Sequence, residues 1–271
     1  MKIAMIITYF GEFPWYFKYF IHSCRYNLSV DFFIITDNEV QENFPPNVHI
    51  VKKSMSETIN LIEQKLGLKV DIFFAYKLCD FKPAYGVIFS ELIEGYDFWG
   101  HGDLDVIYGN IRNFMTDELL SEHDLISVRH DFLTGFFTLF RNCTKMNELF
   151  RQSKDYEKIF KSPRHFCFDE TNFTVEQFNE GIPYTEIQTE IESMTHVVKK
   201  LQEQNYLNAY FNFHVIEGNP GRLRWKSGTL TYKKEFEIML YHMVRFKKYC
   251  VPTKMTKIPD VFYISPTRIY A

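Results

Sequence analysis

The chain has 271 residues and a mass of 32.5 kDa, and its 46% hydrophobic and 24% charged residues are ordinary values for one large globular domain. This composition excludes an intrinsically disordered chain, a collagen-like fibre and a coiled coil. A net charge of -3 and an isoelectric point near 6.3 exclude the overall basic field of a nucleic-acid-binding protein. Aromatic residues reach 18% of the chain, so we expect a core rich in rings.

Cysteine usage and the N-terminal segment bear on the compartment. The five cysteines are scattered and form no CxxC pair, which is atypical of a disulfide framework and favours a reduced setting. The first apolar run is too short for a signal peptide. No apolar run approaches the ~18 residues that cross a bilayer. We therefore expect a cytoplasmic protein, with peripheral contact to the inner face of the membrane as an alternative.

Short apolar runs alternate with longer mixed segments in the first half of the chain. Strands are predicted over 2–8, 30–36 and 48–51, with a further strand ending at 103, and helices over 15–27, 56–66 and 82–94. The last helix is predicted to begin at Lys82-Pro83, because proline is well placed in a first helical turn. Strands that alternate with helices and are apolar on both faces indicate an α/β fold with a mainly parallel central sheet.

The second half is less regular. The patterns predict strands over 124–128 and 135–140, a helix over 145–152, a helical stripe from 187 to 201, a hairpin over 225–231 and an apolar segment over 236–246. The tail after 243 is basic. We expect it to be a solvated cover, with contact to anionic lipid as the alternative.

The segment with the sharpest chemical signal is 99–109, which reads Trp-Gly-His-Gly-Asp-Leu-Asp-Val-Ile-Tyr-Gly. Its two aspartates, Asp103 and Asp105, point to the same side if the backbone is extended. Adjacent carboxylates among apolar residues need a cation, and hard oxygen ligands favour Mg²⁺ or Mn²⁺. A D-x-D pair alone is a weak signal that also occurs in solvated turns. At the carboxyl end of a strand in an open α/β sheet it indicates a ligand site.

Together with Thr8-Tyr9-Phe10-Gly11 after the first strand and Thr36-Asp37 after the second, this segment resembles bacterial GT-A-fold glycosyltransferases. The similar members are the small D-x-D-containing enzymes of polysaccharide biosynthesis. The resemblance covers most of the chain and is concentrated between Lys77 and Ile111. It implies one GT-A-like domain over 1–271, with a Rossmann-like nucleotide-sugar half over 1–111, an irregular acceptor half over 112–250 and a basic C-terminal extension over 251–271.

The same resemblance implies an activity and its cofactor. The enzyme would move a hexose from a nucleotide diphosphate sugar, UDP-linked by family habit, to a glycan or lipid-linked glycan, with no nucleic-acid partner. Mn²⁺ or Mg²⁺ would stabilise the departing nucleoside diphosphate as a Lewis acid. Asp105 is expected to ligate the metal, and Asp103 to ligate it or to reach the ribose. His242 is the expected third ligand and His214 the alternative, while His101 is expected to be structural.

Donor contacts are also implied by the resemblance. The residues expected beside the base and ribose are Thr8, Tyr9, Gly11 and Asp37. Lys82 is expected to pair with phosphate as a point charge or, alternatively, to be an exposed lysine in a first helical turn. Asp80 is expected in the donor site or, alternatively, as a helix cap.

Asp169 and Glu170 are the candidates on the acceptor side, where they are predicted to open a helix. An inverting enzyme needs a carboxylate base for the attacking hydroxyl, and either residue can serve, whereas a retaining enzyme needs none. The structural alternative is plain N-terminal helix charge, worth about 0.3–1 kcal/mol. The segment 134–142, with Gly135, resembles the part of the family that lies under the acceptor, and the residues just before it, at 130 and 131, are expected to line the same cleft.

Two other functions stay open on the sequence. A haloacid-dehalogenase-type phosphatase also uses D-x-D at a strand end and would use Asp103 as its nucleophile. Its motif usually follows the first strand as D-x-D-x-T, which differs from the context here. A non-catalytic module that binds a nucleotide sugar or carbohydrate would use the abundant rings for stacking. Metal-dependent turnover distinguishes an enzyme from such a module.

Overall fold

A computed structural model describes residues 1–39, 44–250 and 257–271, and all structural statements concern these residues. Strands β1 to β15 are, in chain order, Ile3–Thr8, Val30–Thr36, Val48–Lys52, Phe98–Gly102, Val106–Tyr108, Leu125–Ser127, Phe137–Arg141, Ala209–Phe211, Val215–Glu217, Leu223–Lys226, Thr229–Tyr232, Phe236–Ile238, Leu240–His242, Val261–Ile264 and Ile269–Tyr270. Helices α1 to α9 are Phe17–Cys24, Met55–Leu66, Tyr85–Ile88, Asp117–Glu122, Thr144–Asn147, Tyr156–Lys161, Val175–Asn179, Met194–Glu203 and Phe246–Tyr249. Tighter 3-10 helices cover Ala75–Ala84, Ile111–Asn113 and Leu149–Gln152.

A seven-stranded sheet in the order β3-β2-β1-β4-β7-β6-β8 forms the centre of the molecule. Strand β7 runs antiparallel to both of its neighbours, and the other strands share one direction. Alternate residues of β1 enter two different cores: Ala4 and Ile6 face one side of the sheet, and Met5 faces the other. The predicted α/β architecture with a mainly parallel sheet is therefore confirmed.

The parallel strands β1, β2 and β4 end at the same edge of this sheet. Thr8 pairs with Ile35 at that edge, and the amide of Tyr9 donates to the Ile35 carbonyl oxygen at 2.9 Å. Beyond this edge lie the three polar segments that the sequence singled out. The carboxyl ends of parallel strands in an open sheet form the usual ligand crevice.

A smaller sheet in the order β5-β13-β9 extends this edge with strands from distant parts of the sequence. Strand β13 pairs antiparallel with β5, so that His242 lies opposite Val106, and parallel with β9, so that His242 also lies opposite Glu217. The late apolar segment thus closes over the D-x-D turn. No local pattern in the sequence predicts this pairing.

A separate five-stranded sheet in the order β12-β11-β10-β14-β15 packs around Trp225 and Phe262, whose rings stack at 5.1 Å. Its β10–β11 hairpin confirms the turn predicted after Trp225. Strands β14 and β15 belong to what was predicted as a basic extension over 251–271, and they are integral to this sheet. Residues 251–256 of that extension, with Lys254, lie outside the described residues.

The longest helix, α2, has 12 residues and shows why it begins and ends where it does. Ser54 caps its N-terminus in a capping box with Glu57, and Gly67 adopts a left-handed conformation at its C-terminus. In the described part of the chain, no helix has the length and the apolar character that a membrane span requires.

Three predicted helices differ from the structure. The helix predicted to begin at Lys82 is instead a 3-10 helix with Pro83 near its end, followed by the single α-helical turn α3. Asp169 and Glu170 lie in a turn, and the next helix, α7, begins only at Val175. Of the stripe predicted to be helical, only the part from Met194 onward is a helix. In the first case tertiary packing replaces the local preference: the backbone of α3 lies so close to β4 that a Cβ atom at Gly86 would meet the Trp99 ring at 2.7 Å.

Candidate functional site

A cavity of about 350 Å³ opens where β1 and β4 end. The D-x-D turn forms one wall, the loop after β1 forms a second, and the 3-10 helix over Ala75–Ala84 forms a third. Charged side chains of both signs reach into it, namely Lys82, Asp103, Asp105, Glu170, His242 and Lys247. Pockets of this size with a few convergent polar groups are typical of small-molecule sites.

Asp103, Asp105 and His242 form the centre of this cavity. One possible ligand atom from each residue lies within 4.8 Å of the others. The two aspartates occupy the turn between β4 and β5, and His242 ends β13 directly opposite the start of β5. The structure therefore brings together the three residues that were expected to share a metal. His214 lies apart from them, packed against the rings of Phe114 and Tyr210, and burial lowers its pKa.

Two lysines neutralise the aspartates. Lys247 Nζ donates to Asp105 Oδ2 at 2.6 Å, and Lys82 Nζ donates to Asp103 Oδ1 at 2.6 Å. Burial raises the pKa of Asp105, but His242 and Lys247 outweigh it and hold that pKa well below its usual range. Burial likewise lowers the pKa of Lys82, and Asp103 with other neighbours outweighs it, so the net shift is upward. The Lys82 side chain is only 4% exposed, so the alternative of an exposed first-turn lysine is wrong.

Glu217 holds the His242 ring from the side opposite Asp105. His242 Nδ1 lies 2.9 Å from Glu217 Oε1, its Nε2 lies 3.4 Å from Asp105 Oδ2, and its ring stacks on Phe136 at 4.0 Å. Burial lowers the pKa of His242, but the bonds to the two carboxylates prevail and raise it to about 9. Arg129 in turn donates to Glu217 Oε2 at 3.2 Å. The imidazole is therefore fixed in position and orientation.

The residues expected on the donor side divide into two groups. Thr8 and Tyr9 line the cavity, and the Thr8 hydroxyl lies 2.8 Å from the Tyr85 hydroxyl. Gly11 and Asp37 lie outside the lining residues, and the Gly11 amide donates to Asp37 Oδ1 at 3.0 Å. This bond ties the loop after β1 to the loop after β2. Asp37 therefore holds the loop rather than facing the cavity.

Asp80 lies away from the cavity, contrary to the prediction that it belongs to the donor site. Its carboxylate is fully buried, accepts from Lys77 Nζ at 2.8 Å and accepts the backbone amides of Phe166 and Phe168 at 2.9 Å each. Burial raises its pKa, and His165 and Lys77 outweigh this to lower it. The prediction that Asp80 contacts the donor is wrong, and so is the alternative of a helix cap. The residue anchors the aromatic segment before Asp169 to the 3-10 helix.

The two candidate bases lie in different environments. Asp169 is buried behind the cavity, and burial raises its pKa well above the usual range although Lys82 acts in the opposite direction. Glu170 lines the cavity and accepts the Gly135 amide at 2.6 Å. A Cβ atom at Gly135 would lie 2.5 Å from Asp169 Oδ2, so only glycine fits between these acids. Of the two predicted candidates, only Glu170 can meet a ligand in the cavity.

The remaining histidine and acid near the site have structural partners. His101 Nδ1 lies 3.1 Å from the Gly135 carbonyl oxygen, and burial together with Lys82 lowers its pKa to about 3. This agrees with the expected structural role of His101. The Asp131 carboxylate pairs with Arg129 at 2.8 Å and, with His130, lies outside the cavity lining. These two residues were expected in the acceptor cleft.

A model of the family described as "Family of unknown function (DUF6625)" matches residues 5–271. The chain belongs to this family. No curated protein matches the chain in sequence.

Solved structures with a similar arrangement include two of LgtC and one of GlyE. An active-site mutant of LgtC is 9% identical with a TM-score of 0.35, and galactosyltransferase LgtC in complex with donor and acceptor sugar analogues is 10% identical with a TM-score of 0.35. Each match covers 77% of this chain and 72% of LgtC. The apo-form glycosyltransferase GlyE of Streptococcus pneumoniae TIGR4 is 12% identical with a TM-score of 0.36, over 77% of this chain and 45% of GlyE. Because these scores are low, a functional argument must come from the geometry of the site itself.

Sequence reasoning missed two residues of the site, Glu217 and Lys247. Glu217 is a single acid in a short strand, and Lys247 is one of several lysines in a basic stretch. Neither has a motif around it. Their roles come from the pairing of β13 with β9 and from the position of α9, which begins at Phe246.

Proposed function

We propose that this protein is a metal-dependent glycosyltransferase. It would move a hexose from a nucleotide diphosphate sugar, with UDP as the expected nucleotide, to a glycan or lipid-linked glycan acceptor. The observation that carries the proposal is the convergence of Asp103, Asp105 and His242 in one cavity at the carboxyl edge of the sheet, with Lys82 and Lys247 beside them. This mixture of acids, imidazole and ammonium groups suits a ligand that combines a divalent cation with phosphates.

The donor set fits Mn²⁺ or Mg²⁺. Carboxylate oxygens are the preferred ligands of both ions. A metal-binding histidine usually bonds a carboxylate through its other ring nitrogen, and Glu217 already makes that contact with His242 Nδ1. When bound, the ion would supply Lewis-acid stabilisation for the departing diphosphate.

The lysines have a second task under this proposal. In this structure Lys247 neutralises Asp105 and Lys82 neutralises Asp103. A bound divalent ion would neutralise both carboxylates in place of the lysines. The Lys247 ammonium group, released from Asp105, is then free to pair with a phosphate oxygen of the donor. Both lysines line the same cavity as Thr8 and Tyr9, where we place the ribose and base.

Glu170 is the carboxylate that we assign to the acceptor side. It reaches the cavity while its neighbour Asp169 does not, and the Gly135 amide fixes its orientation. If transfer inverts the anomeric centre, Glu170 is in place to take the proton from the attacking hydroxyl. If transfer retains the configuration, Glu170 would bind the acceptor without accepting its proton.

A thermal-shift panel tests the donor site directly. The purified protein is heated with UDP, GDP, CDP, CMP or ADP, each with and without Mn²⁺. We expect one nucleoside diphosphate to raise the melting temperature only when Mn²⁺ is present, because a ligand of the native state stabilises it by mass action. The shift should disappear in Asp105→Ala. It should persist in Asp117→Asn, because the Asp117 carboxylate pairs with the N-terminal amine and does not line the cavity.

Two results would contradict the proposal. If no nucleotide raises the melting temperature, the cavity does not bind a nucleotide donor. Hydrolysis of p-nitrophenyl phosphate with Mg²⁺ that is abolished in Asp103→Asn would favour the phosphatase, because Asp103 would then act as nucleophile.

A further inference from the structure

Exposed aromatic rings cluster at one side of the cavity mouth. Phe73 is 79% exposed and Tyr76 is 66% exposed at the start of the cavity's third wall, and Phe173 is 64% exposed in the turn after Glu170. Single exposed apolar side chains are common on protein surfaces, whereas several together indicate a binding surface. These rings come from two segments far apart in sequence, so their proximity is a product of the fold.

Ring contacts join the two segments. The His165 ring packs edge-on against Tyr76 at 4.7 Å and against Phe173 at 5.5 Å. We call Tyr76, His165 and Phe173 the aromatic shelf. Tyr76 also lines the cavity, so the shelf continues directly from the site.

The backbone under the shelf is held in an unfavourable conformation. Phe173 has a φ of 65° and Asn172 a φ of 55°, a region that bulky side chains rarely adopt. The Asn172 side chain fixes this turn, because Nδ2 donates to the Phe166 carbonyl oxygen at 2.8 Å and Oδ1 accepts the Glu190 amide at 2.8 Å. Strain of this kind persists where the surrounding structure over-determines it, typically at functional sites. Here it presents the Phe173 ring to solvent.

We propose that the aromatic shelf binds a pyranose ring of the acceptor saccharide. A pyranose has a C–H-rich face that packs on the electron-rich face of an aromatic ring, while its hydroxyls point to polar groups at the edge. The shelf offers that combination: the exposed rings of Tyr76 and Phe173, with the Tyr76 hydroxyl and the Glu170 carboxylate beside them. The assignment of this saccharide as the acceptor rests on the function proposed above. Binding of a saccharide to the shelf can be tested independently of that function.

Saturation-transfer NMR tests the shelf without metal or nucleotide. The probes are the methyl α- and β-glycosides of glucose, galactose, mannose and N-acetylglucosamine at millimolar concentration in EDTA. We expect saturation of at least one glycoside, reduced roughly tenfold in Phe173→Asn. Asparagine tolerates the left-handed backbone at position 173, so this variant removes the ring and keeps the turn.

Phe236→Ser is the matched control, because Phe236 is 57% exposed on the separate five-stranded sheet. It should bind the glycosides as the unmodified protein does. Phe173→Asn should keep the Mn²⁺-dependent shift with the nucleotide, since Phe173 does not line the cavity.

The outcomes separate the two proposals. No saturation of any glycoside, or equal saturation in Phe173→Asn and Phe236→Ser, overturns the shelf even if the nucleotide shift is present. Saturation that depends on Phe173 supports the shelf as a saccharide site even if no nucleotide binds, and in that case only the transferase fails.

Discussion

His242 is a residue whose orientation is set by one carboxylate while its other nitrogen faces the candidate metal position. Glu217 supports Nδ1, and Arg129 supports Glu217. A carboxylate that bonds one ring nitrogen of a metal-binding histidine fixes the ring and raises the basicity of the other nitrogen, which binds the metal. The chain Arg129–Glu217–His242 therefore extends the site well beyond the cavity wall.

Glu217→Ala should weaken Mn²⁺ binding in the presence of UDP by about 10- to 100-fold. The ring of His242 loses the partner that holds it, although the direct ligand atoms remain. Glu217→Gln keeps a side-chain oxygen that accepts from Nδ1, so it should retain most of the affinity. Titration calorimetry with Mn²⁺ measures both.

Glu237→Ala is the control for this pair. Glu237 is an exposed acid on β12, in a different sheet from Glu217, and its carboxylate accepts a hydrogen bond from Asn113. Equal Mn²⁺ affinity in Glu217→Ala and Glu237→Ala would show that Glu217 does not position the imidazole.

At the same scale, the sequence located some site residues and missed others for a physical reason. Asp103 and Asp105 carry a signal because two charges next to a buried strand are unusual in a sequence. Asp80 looked similar but is neutralised by Lys77 and by two backbone amides, contacts that exist only after distant segments meet. Glu217 had no local signal at all. A residue's type suggests its chemistry, whereas only its tertiary neighbours decide whether that chemistry is used.

At the scale of elements, a buried ion pair within the 3-10 helix over Ala75–Ala84 connects that helix to the aromatic segment 165–168, because Asp80 also accepts the amides of Phe166 and Phe168. Lys77 and Asp80 are both fully buried, and Lys77 Nζ also donates to the carbonyl oxygens of Ile159 and Arg164. This junction also supports the aromatic shelf, because Tyr76 and His165 belong to these two segments.

Asp80→Asn should destabilise the protein by about 3–5 kcal/mol, because it leaves the Lys77 ammonium group buried without a counter-charge. Urea denaturation measures the loss. Adding Lys77→Met to that variant should restore part of the stability, because the unpaired charge is then removed. The opposite order, with the double variant less stable than Asp80→Asn, would contradict this account of the ion pair.

At the scale of the whole molecule, histidines with lowered pKa values make stability sensitive to acid, among them the half-buried His22 and the buried His101. Burial lowers the pKa of His22, packed on Trp225 at 4.7 Å, to about 4, and burial with Lys82 lowers that of His101 to about 3. Between pH 6.5 and 4 the unfolded chain therefore binds protons at both sites and the folded protein does not. The free energy of unfolding consequently decreases as the pH is lowered through this range. His242 has the opposite sign: its contribution is complete below pH 6.5 and is lost as pH rises through about 9.

The melting temperature should therefore fall as the pH is lowered from 7 to 4. His101 alone contributes up to about 1.4 kcal/mol per pH unit within that window. His22→Phe removes one of these titrating groups while keeping a ring against Trp225, so its melting temperature should depend less steeply on pH over the same range. Parallel pH profiles of the variant and the unmodified protein would exclude His22 as a source of the acid sensitivity.

The parallel part of the central sheet was predictable because its strands are continuous apolar runs separated by helical patterns. The small sheet of β5, β9 and β13 was not, since each strand has only three residues and its partners lie far away in the chain. Short strands joined over long separations have no periodicity to detect. The irregular second half of the sequence thus contains the pairing that completes the site.

The closing of β13 onto β5 also has a consequence for synthesis of the protein on the ribosome. Asp103 and Asp105 emerge early, but the imidazole at 242 and the ammonium group at 247 are among the later residues to be translated. Until they emerge, the two aspartates lack the neighbours that complete the candidate site. A nascent chain that has not yet reached residue 247 would thus be unable to assemble the candidate site, although both aspartates have already emerged.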